Sequence, residues 1–241
     1  MHNLELKNIN NVLLLGANGG IGQALLSKLL AENKELQIYA LSRHPVDHSR
    51  VHNSVCDLIN EESLSVFLAK YPNVKFNLIL NTIGFLENEL GGPEKSLRDI
   101  NEAKLLEYFR INAILTPVLA KVVRNHLASE GFAFVALSAM VGSVGENELG
   151  GWYGYRASKT ALNAFLKNIS IEWGRVYKNS LVLAIHPGTT QTRLSEKFNI
   201  RVTHKIHTPD EAAKNICDVI FSTEFERSGS FLNWDGRSIG W

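Results

Sequence analysis

Short apolar runs alternate with longer stretches of helical period along the chain. Val12–Leu15, Gln37–Leu41, Leu78–Asn81, Phe132–Leu137 and Leu181–Ile185 are nearly continuous in apolar and β-branched residues. Each is short and predicts a strand. Val51–Val55 and Phe231–Asn233 carry the same signal more weakly. Between them, Ile21–Ala31, Glu61–Ala69, Glu102–Ala128, Tyr153–Arg175 and Pro209–Ile220 have helical period and predict helices. Strands without polar alternation have both faces covered. Strand–helix–strand repetition with such strands predicts an α/β fold: a single doubly wound parallel sheet with helices on both faces.

Local punctuation sharpens the boundaries. Thr208-Pro209-Asp210-Glu211 combines an N-cap, a proline at the first helical position and acids in the first turn. Asn60, Glu61 and Glu62 open a helix in the same way. Pro117 falls inside the long Glu102–Ala128 candidate. It lacks a backbone donor and frees the carbonyl of Ala113, so a kink is expected near Asn112–Pro117. Phe85–Ser96 shows no clear structure, and its Gly91-Gly92-Pro93 tip predicts a surface loop. With no Pro/Gly/Ser-rich linker and no internal repeat, residues 1–241 read as one domain.

Composition narrows the function classes. Of 241 residues, 45% are hydrophobic and 20% charged, which supports a packed core and excludes disorder as the main state. The formal net charge of +1 argues against a nucleic-acid partner, which needs a clustered basic excess. The basic stretch Arg201–Lys205 is too short to change that. Cys56 and Cys217 form no CxxC pair, so no disulfide scaffold or zinc site is expected, and a reducing cytoplasm suits them. No apolar run approaches the roughly eighteen residues of a membrane span, and none resembles a signal peptide. His44, His48 and His52 stand at helical spacing, but Pro45 and polar surroundings predict a loop there and no metal site.

The first strand candidate runs straight into Gly16-Ala17-Asn18-Gly19-Gly20-Ile21-Gly22, and a helix follows. Glycines in that position let the backbone approach a pyrophosphate, and the helix N-terminus favours the anion. Gly16, Asn18, Gly20, Ile21 and Gly22 are therefore candidate dinucleotide contacts, in the manner of a Rossmann fold. The spacing is GxxxGxG. Roughly twenty residues further on, an NAD site would carry an acid for the ribose 2′-hydroxyl. Here Ser42 and Arg43 end the second strand. A carboxylate would repel a 2′-phosphate and an arginine can pair with one, so NADP(H) is expected over NAD(H).

Tyr155 and Lys159 are four apart at the start of the longest later helix and share a face. A free phenol titrates near 10, and a nearby ammonium favours the phenolate. Such a tyrosine can give a proton to a carbonyl oxygen or take one from an alcohol. Arg156 points roughly 100° away and is expected in solvent.

Together these residues resemble the short-chain dehydrogenase/reductase family over nearly the whole chain. The glycine loop at 16–22 is one match. Asp57-Leu58 looks like the family's adenine-contacting pair. Asn81-Thr82-Ile83-Gly84 looks like its Asn-Ala-Gly motif, with Thr82 for Ala and one residue inserted. Asn112 stands at its helix asparagine, and Tyr155…Lys159 matches YxxxK. His186-Pro187-Gly188-Thr189-Thr190-Gln191-Thr192 resembles the PG motif that grips the nicotinamide carboxamide, which makes Pro187, Gly188, Thr190 and Thr192 candidate contacts. Within the family, the run 150–159 and the tail 231–241 are similar to C-factor-like and sniffer-like carbonyl reductases.

The resemblance implies hydride transfer between a nicotinamide and a carbonyl carbon. Tyr155 would be the acid/base, and Lys159 would tune it and hold the ribose. Asn112 would hold a relay water. The segment 193–207 would be a substrate lid, with His204 and His207 at its surface or on the substrate. The partner would be a small carbonyl or alcohol; a homo-oligomer is open. One departure stands out. The family's substrate-holding serine is second in a Ser-Ser pair, and here Ser138 is followed by Ala139. Ser138 is the first substitute, Ser143 the second, and no serine the third. An NADPH-dependent carbonyl reductase or alcohol dehydrogenase is expected. The alternative is a dinucleotide-binding regulatory protein of the C-factor type with little turnover.

Overall fold

The computed structural model describes residues 3–56, 61–89, 91–197 and 205–241. Its strands are β1 (Asn11–Leu15), β2 (Gln37–Ser42), β3 (Val51–Val55), β4 (Leu78–Asn81), β5 (Phe132–Leu137), β6 (Ser180–His186) and β7 (Ser230–Asn233). Among the described residues they form one sheet in the order β3-β2-β1-β4-β5-β6-β7, and each neighbouring pair is parallel. The doubly wound α/β fold and all seven strand positions agree with the apolar pattern.

The strands lack polar alternation because helices cover both faces. Val12, Leu14, Leu78 and Leu80 pack on one side with Leu25, Leu29, Ile216 and Ile220, from helices α1 (Gly20–Glu32) and α6 (Pro209–Ser222). Leu13, Leu15, Ile79 and Phe134 pack on the other with Leu119, Leu162 and Leu166, from α4 (Leu115–Val123) and α5 (Tyr153–Gly174). Helix α2 (Glu61–Ala69) adds Leu64, Phe67 and Leu68 to that side. Each such side chain contributes about 1.5–3 kcal/mol when fully buried. β3 is an edge strand, half-buried and partly polar, which explains its weak signal.

Two expectations change. The helix expected over Glu102–Ala128 is broken into α3 (Glu102–Tyr108), a π-helical segment Phe109–Ile114, α4, and a 3-10 turn Arg124–His126. Pro117 sits near the start of α4, which continues directly from the π segment, so the acceptors that the proline leaves without an N–H fall where the helical bonding is already irregular. The irregular segment contains Asn112, the near end of the expected Asn112–Pro117 range. The 85–96 segment is also not simply a surface loop: Leu86, Pro93 and Glu94 are buried.

The strand order reverses between β1 and β4. In open α/β sheets the crevice at that point, beyond the carboxyl ends of the strands, receives the ligand.

Candidate active site

The glycine loop rises from the end of β1. Gly16 has φ +85°, and its N–H donates to Leu41 O at 2.9 Å. A Cβ on Gly22 would lie 2.1 Å from Gly16 O, and one on Gly16 would lie 2.6 Å from Thr82 Oγ1. These two glycines therefore permit a tight turn against the next strand. A Cβ on Gly20 would meet Thr192 Cγ2 at 3.0 Å, so the loop lies against the segment after β6. Ile21 packs on the α1/α6 core. Asn18 Oδ1 accepts the His44 N–H at 3.2 Å, tying the loop to the end of β2. The first turn of α1 is left open, with no side-chain cap. Unpaired N–H groups and the helix dipole suit an anion there.

Of the β2-end pair, Arg43 is exposed, whereas Ser42 is buried. The Ser42 hydroxyl donates to His44 O at 2.7 Å and lies 3.3 Å from Asn53 Oδ1. This hydroxyl braces the turn that presents Arg43. Asp57 and Leu58 lie outside the described residues. At the end of β4, Asn81 donates to Thr116 Oγ1 at 3.0 Å and accepts the Ile83 N–H at 3.1 Å. Thr82 donates to Leu15 O at 2.7 Å, stitching β4 to β1 beneath the glycine loop. A Cβ on Gly84 would come within 3.8 Å of Leu194, at the beginning of the expected lid.

The side chains of Tyr155 and Lys159 are both buried. Lys159 Nζ lies 5.8 Å from the Tyr155 ring centroid and donates to Leu137 O at 2.8 Å. Burial pushes the Tyr155 phenol above its usual range and the Lys159 ammonium down to about 8. The spacing alone predicts that the ammonium pulls the phenol down; in the closed, buried site desolvation is the larger effect on both. Asn112 sits in the π segment and grips Phe85 twice. Its Oδ1 accepts the Phe85 N–H at 2.8 Å, and its Nδ2 donates to Phe85 O at 2.9 Å. Nδ2 also reaches Ser158 Oγ at 3.1 Å, beside Lys159. Asn112 thereby joins three elements: the β4 loop, the π segment and α5.

Ser138 is engaged within the protein. Its hydroxyl donates to Asn163 Oδ1 at 2.6 Å, deep on α5. Ala139 and Val141, from the same segment, pack instead against the cluster of Leu86, Tyr108 and Tyr155. Alternation along an extended chain explains this: neighbouring side chains point to opposite faces. Ser143 is buried, and its Oγ lies 3.4 Å from the Glu146 N–H as acceptor. Arg156 also departs from expectation. It is half-buried, and its Nε has no hydrogen-bond partner among the described residues.

Gly188, with φ +77°, is packed by His207 and Trp234: a Cβ there would be 2.7 Å from His207 Cδ2 and 3.0 Å from Trp234 Cδ1. His207 is buried rather than at the surface, and its ring stands 4.6 Å from that of Trp234. Its N–H donates to Thr189 O and its carbonyl accepts from Gln191, both at 2.8 Å. The end of the expected lid is thus zipped to residues 189–191. Thr190 donates to Gly188 O at 3.2 Å. Pro187 is half-buried at the mouth of β6. His204 lies outside the described residues. Among those residues, no cluster of His, Cys, Asp or Glu could hold a metal.

Sequence reasoning missed Glu94, Lys104 and Tyr108, which pack behind Tyr155, and Asn163, which continues the Tyr155/Lys159 stripe by four. The stripe spacing could have signalled Asn163. Nothing local to Glu94 signalled its burial.

The chain matches NAD(P)-dependent dehydrogenases and reductases. The family model described as enoyl-(acyl carrier protein) reductase matches residues 16–224. The 1-hydroxy-2-glutathionyl-2-methyl-3-butene dehydrogenase of Rhodococcus sp. (strain AD45) is 28% identical over 97% of this chain and 100% of its own length. The carbonyl reductase Sniffer of D. melanogaster superposes with a TM-score of 0.85 at 22% identity, over 97% of this chain and all of its own. An NADPH-bound carbonyl reductase from chicken fatty liver gives 0.84 at 22%, over 97% and 99%. The chain belongs to the short-chain dehydrogenase/reductase family. No helix among the described residues is long and apolar enough to cross a membrane.

Proposed function

We propose that the protein is an NADPH-dependent carbonyl reductase, or the corresponding alcohol dehydrogenase, with Tyr155 as proton donor and acceptor. The observation that carries this reading is the buried pair of Tyr155 and Lys159, 5.8 Å apart from ring centroid to Nζ, beside the β1/β4 crevice. The crevice suits a dinucleotide: Gly16, Gly20 and Gly22 stand where a Cβ would meet a neighbour. The bound nicotinamide would supply or accept hydride. Tyr155, whose burial favours the protonated phenol, would donate its proton to the carbonyl oxygen as hydride arrives at carbon. Lys159 would hold positive charge beside the developing phenolate and anchor the ribose. Asn112 and Ser158 would fix the helix face that carries both. Pro187, Gly188, Thr190 and Thr192 would bound the nicotinamide end.

Arg43, exposed where an acid would favour NADH, supports NADPH as the cofactor. The similar carbonyl reductase from chicken fatty liver binds NADPH, which is consistent with that choice. With Ala139 at the family's usual serine position and the Ser138 hydroxyl bonded to Asn163, Tyr155 would be the main group to bind the substrate oxygen, with Ser143 the remaining hydroxyl of the segment. That same alanine is the observation favouring the second reading, a dinucleotide-binding regulatory protein with little turnover.

NADPH oxidation against aldehydes, ketones and quinones, with Tyr155→Phe in parallel, tests the proposal. Expected is turnover in the wild type that falls at least ~100-fold in the variant. NADPH binding without turnover in either protein across the panel would favour the regulatory reading.

A further inference from the structure

Helix α5 begins without a side-chain cap of its own. Gly150, Gly151 and Trp152 all have left-handed φ, at +65°, +63° and +53°, and Trp152 supplies no side-chain cap. A non-glycine residue in that region is strained and persists only where its surroundings hold it. The Trp152 ring stands 5.9 Å from that of Tyr155, and the hydrogen-bond acceptors for this turn come from the loop after β4. The Trp152 N–H donates to Glu94 O at 2.5 Å, and the Gly154 N–H donates to Glu94 Oε2 at 3.0 Å. One residue, sixty positions upstream, thus supplies both a backbone and a side-chain acceptor to the first turn.

Glu94 is itself locked in place. Its side chain is fully buried, and Oε1 has no hydrogen bond among the described residues. Oε1 faces Lys104 Nζ at 3.5 Å, and that lysine is buried too. Lys104 donates to Gly92 O in the same loop and lies 5.6 Å from the Tyr108 ring centroid. Tyr108 closes the circuit: its hydroxyl donates to Leu86 O at 2.6 Å, and its ring stands 6.2 Å from that of Tyr155. Gly154 lies hard against Tyr108, since a Cβ there would be 2.4 Å from Tyr108 Cδ2.

We propose that Glu94 is a positioning residue for Tyr155: a buried carboxylate, lent by the β4 loop and held by Lys104, that caps the helix carrying Tyr155 and fixes where its hydroxyl sits. The inference rests on the reading of Tyr155 as acid/base. The carboxylate acts through the helix start and touches neither substrate nor cofactor. A helix start that shifts by a fraction of an ångström moves the phenol off line, and misplacement of about 1 Å costs on the order of 100-fold in rate.

The test compares wild type, Glu94→Gln and the double variant Glu94→Ala/Lys104→Met, which avoids stranding a buried ammonium. Steady-state NADPH oxidation gives kcat and KM. NADPH titration gives cofactor affinity. Hydrogen exchange by mass spectrometry reads the amides of 153–156. Expected for the double variant is a kcat lower by about 10- to 100-fold, with NADPH affinity unchanged and faster exchange at 153–156. Glu94→Gln keeps an oxygen acceptor for Gly154 and should recover most of the lost turnover. Wild-type kcat in the folded double variant, with Tyr155→Phe inactive, overturns the proposal alone. Unchanged exchange at 153–156 does the same. Wild-type turnover in Tyr155→Phe overturns the reading of the site, and the proposal with it.

Discussion

Lys159 is the residue whose burial has the clearest solution signature. Its ammonium titrates at about 8 in the folded chain instead of 10.5. The charged form that would assist Tyr155 is therefore lost as pH rises through about 8. We predict that kcat/KM for carbonyl reduction falls on that limb, read from a pH–rate profile. The same shift sets a stability trend. Between pH 8 and 10 the unfolded chain binds more protons than the folded one, so stability rises with pH in that window. In Lys159→Met this rise, up to about 3 kcal/mol by the size of the shift, should be absent from urea unfolding curves taken at several pH values. Ser138 gives a second residue-scale contrast. Ser138→Ala removes the donor to Asn163 Oδ1 and should cost about 1–2 kcal/mol of stability, while turnover per folded molecule stays near wild type. A large drop in kcat with unchanged stability would restore Ser138 to the substrate. These assignments were only half legible in the chain: Tyr155 and Lys159 follow from helical spacing, but which way Ser138 points depends on where β5 ends against β6.

At the scale of elements, two helix ends are held from outside. The carboxyl end of α1 is capped by Arg50, which donates to Leu30 O at 2.7 Å, Asn33 O at 2.8 Å and Lys34 O at 3.0 Å. A cation there also opposes the negative end of the helix dipole. Arg50→Ala should lower stability by about 1–3 kcal/mol in chemical denaturation, with NADPH-linked turnover intact at temperatures where the protein is folded. The amino end of α5 leaves no room at Gly154, whose added Cβ would press on Tyr108 and Leu105. Gly154→Ala should cost about 1–3 kcal/mol through overpacking and reduce kcat as well, because it displaces the turn bearing Tyr155. Stability loss with an unchanged kcat would show that the first turn of α5 can shift without moving the phenol. The break in the long helix belongs to this scale too. Pro117 announced a distortion near Asn112–Pro117; that it takes the form of a π segment gripping Phe85 and α5 through Asn112 is a tertiary result.

For the whole molecule, the sheet gathers the ends of β1, β2, β4, β5 and β6 around one crevice, so a ligand there bridges many elements. NADPH at 100 times its Kd should raise the unfolding free energy by about 2.7 kcal/mol, seen as a higher melting temperature. Arg43→Ala should bring the NADPH and NADH shifts together, since the exposed guanidinium is the group proposed to read the 2′-phosphate. Equal shifts already in the wild type would refute the NADPH preference.

What the chain determined by itself was local and periodic. Continuous apolar runs specify buried strands, 3.6-residue repeats specify helices, and glycines before a helix specify an anion cradle, because each signal is written in neighbouring residues. What the tertiary structure decided was non-local. Glu94 meets Gly154 and Lys104, Ser138 meets Asn163, and His207 meets Trp234 and Gly188 only after the strands are ordered. The burial that moves the Lys159 and Tyr155 protons in opposite directions is likewise a property of the assembled core, since desolvation depends on everything that surrounds a group.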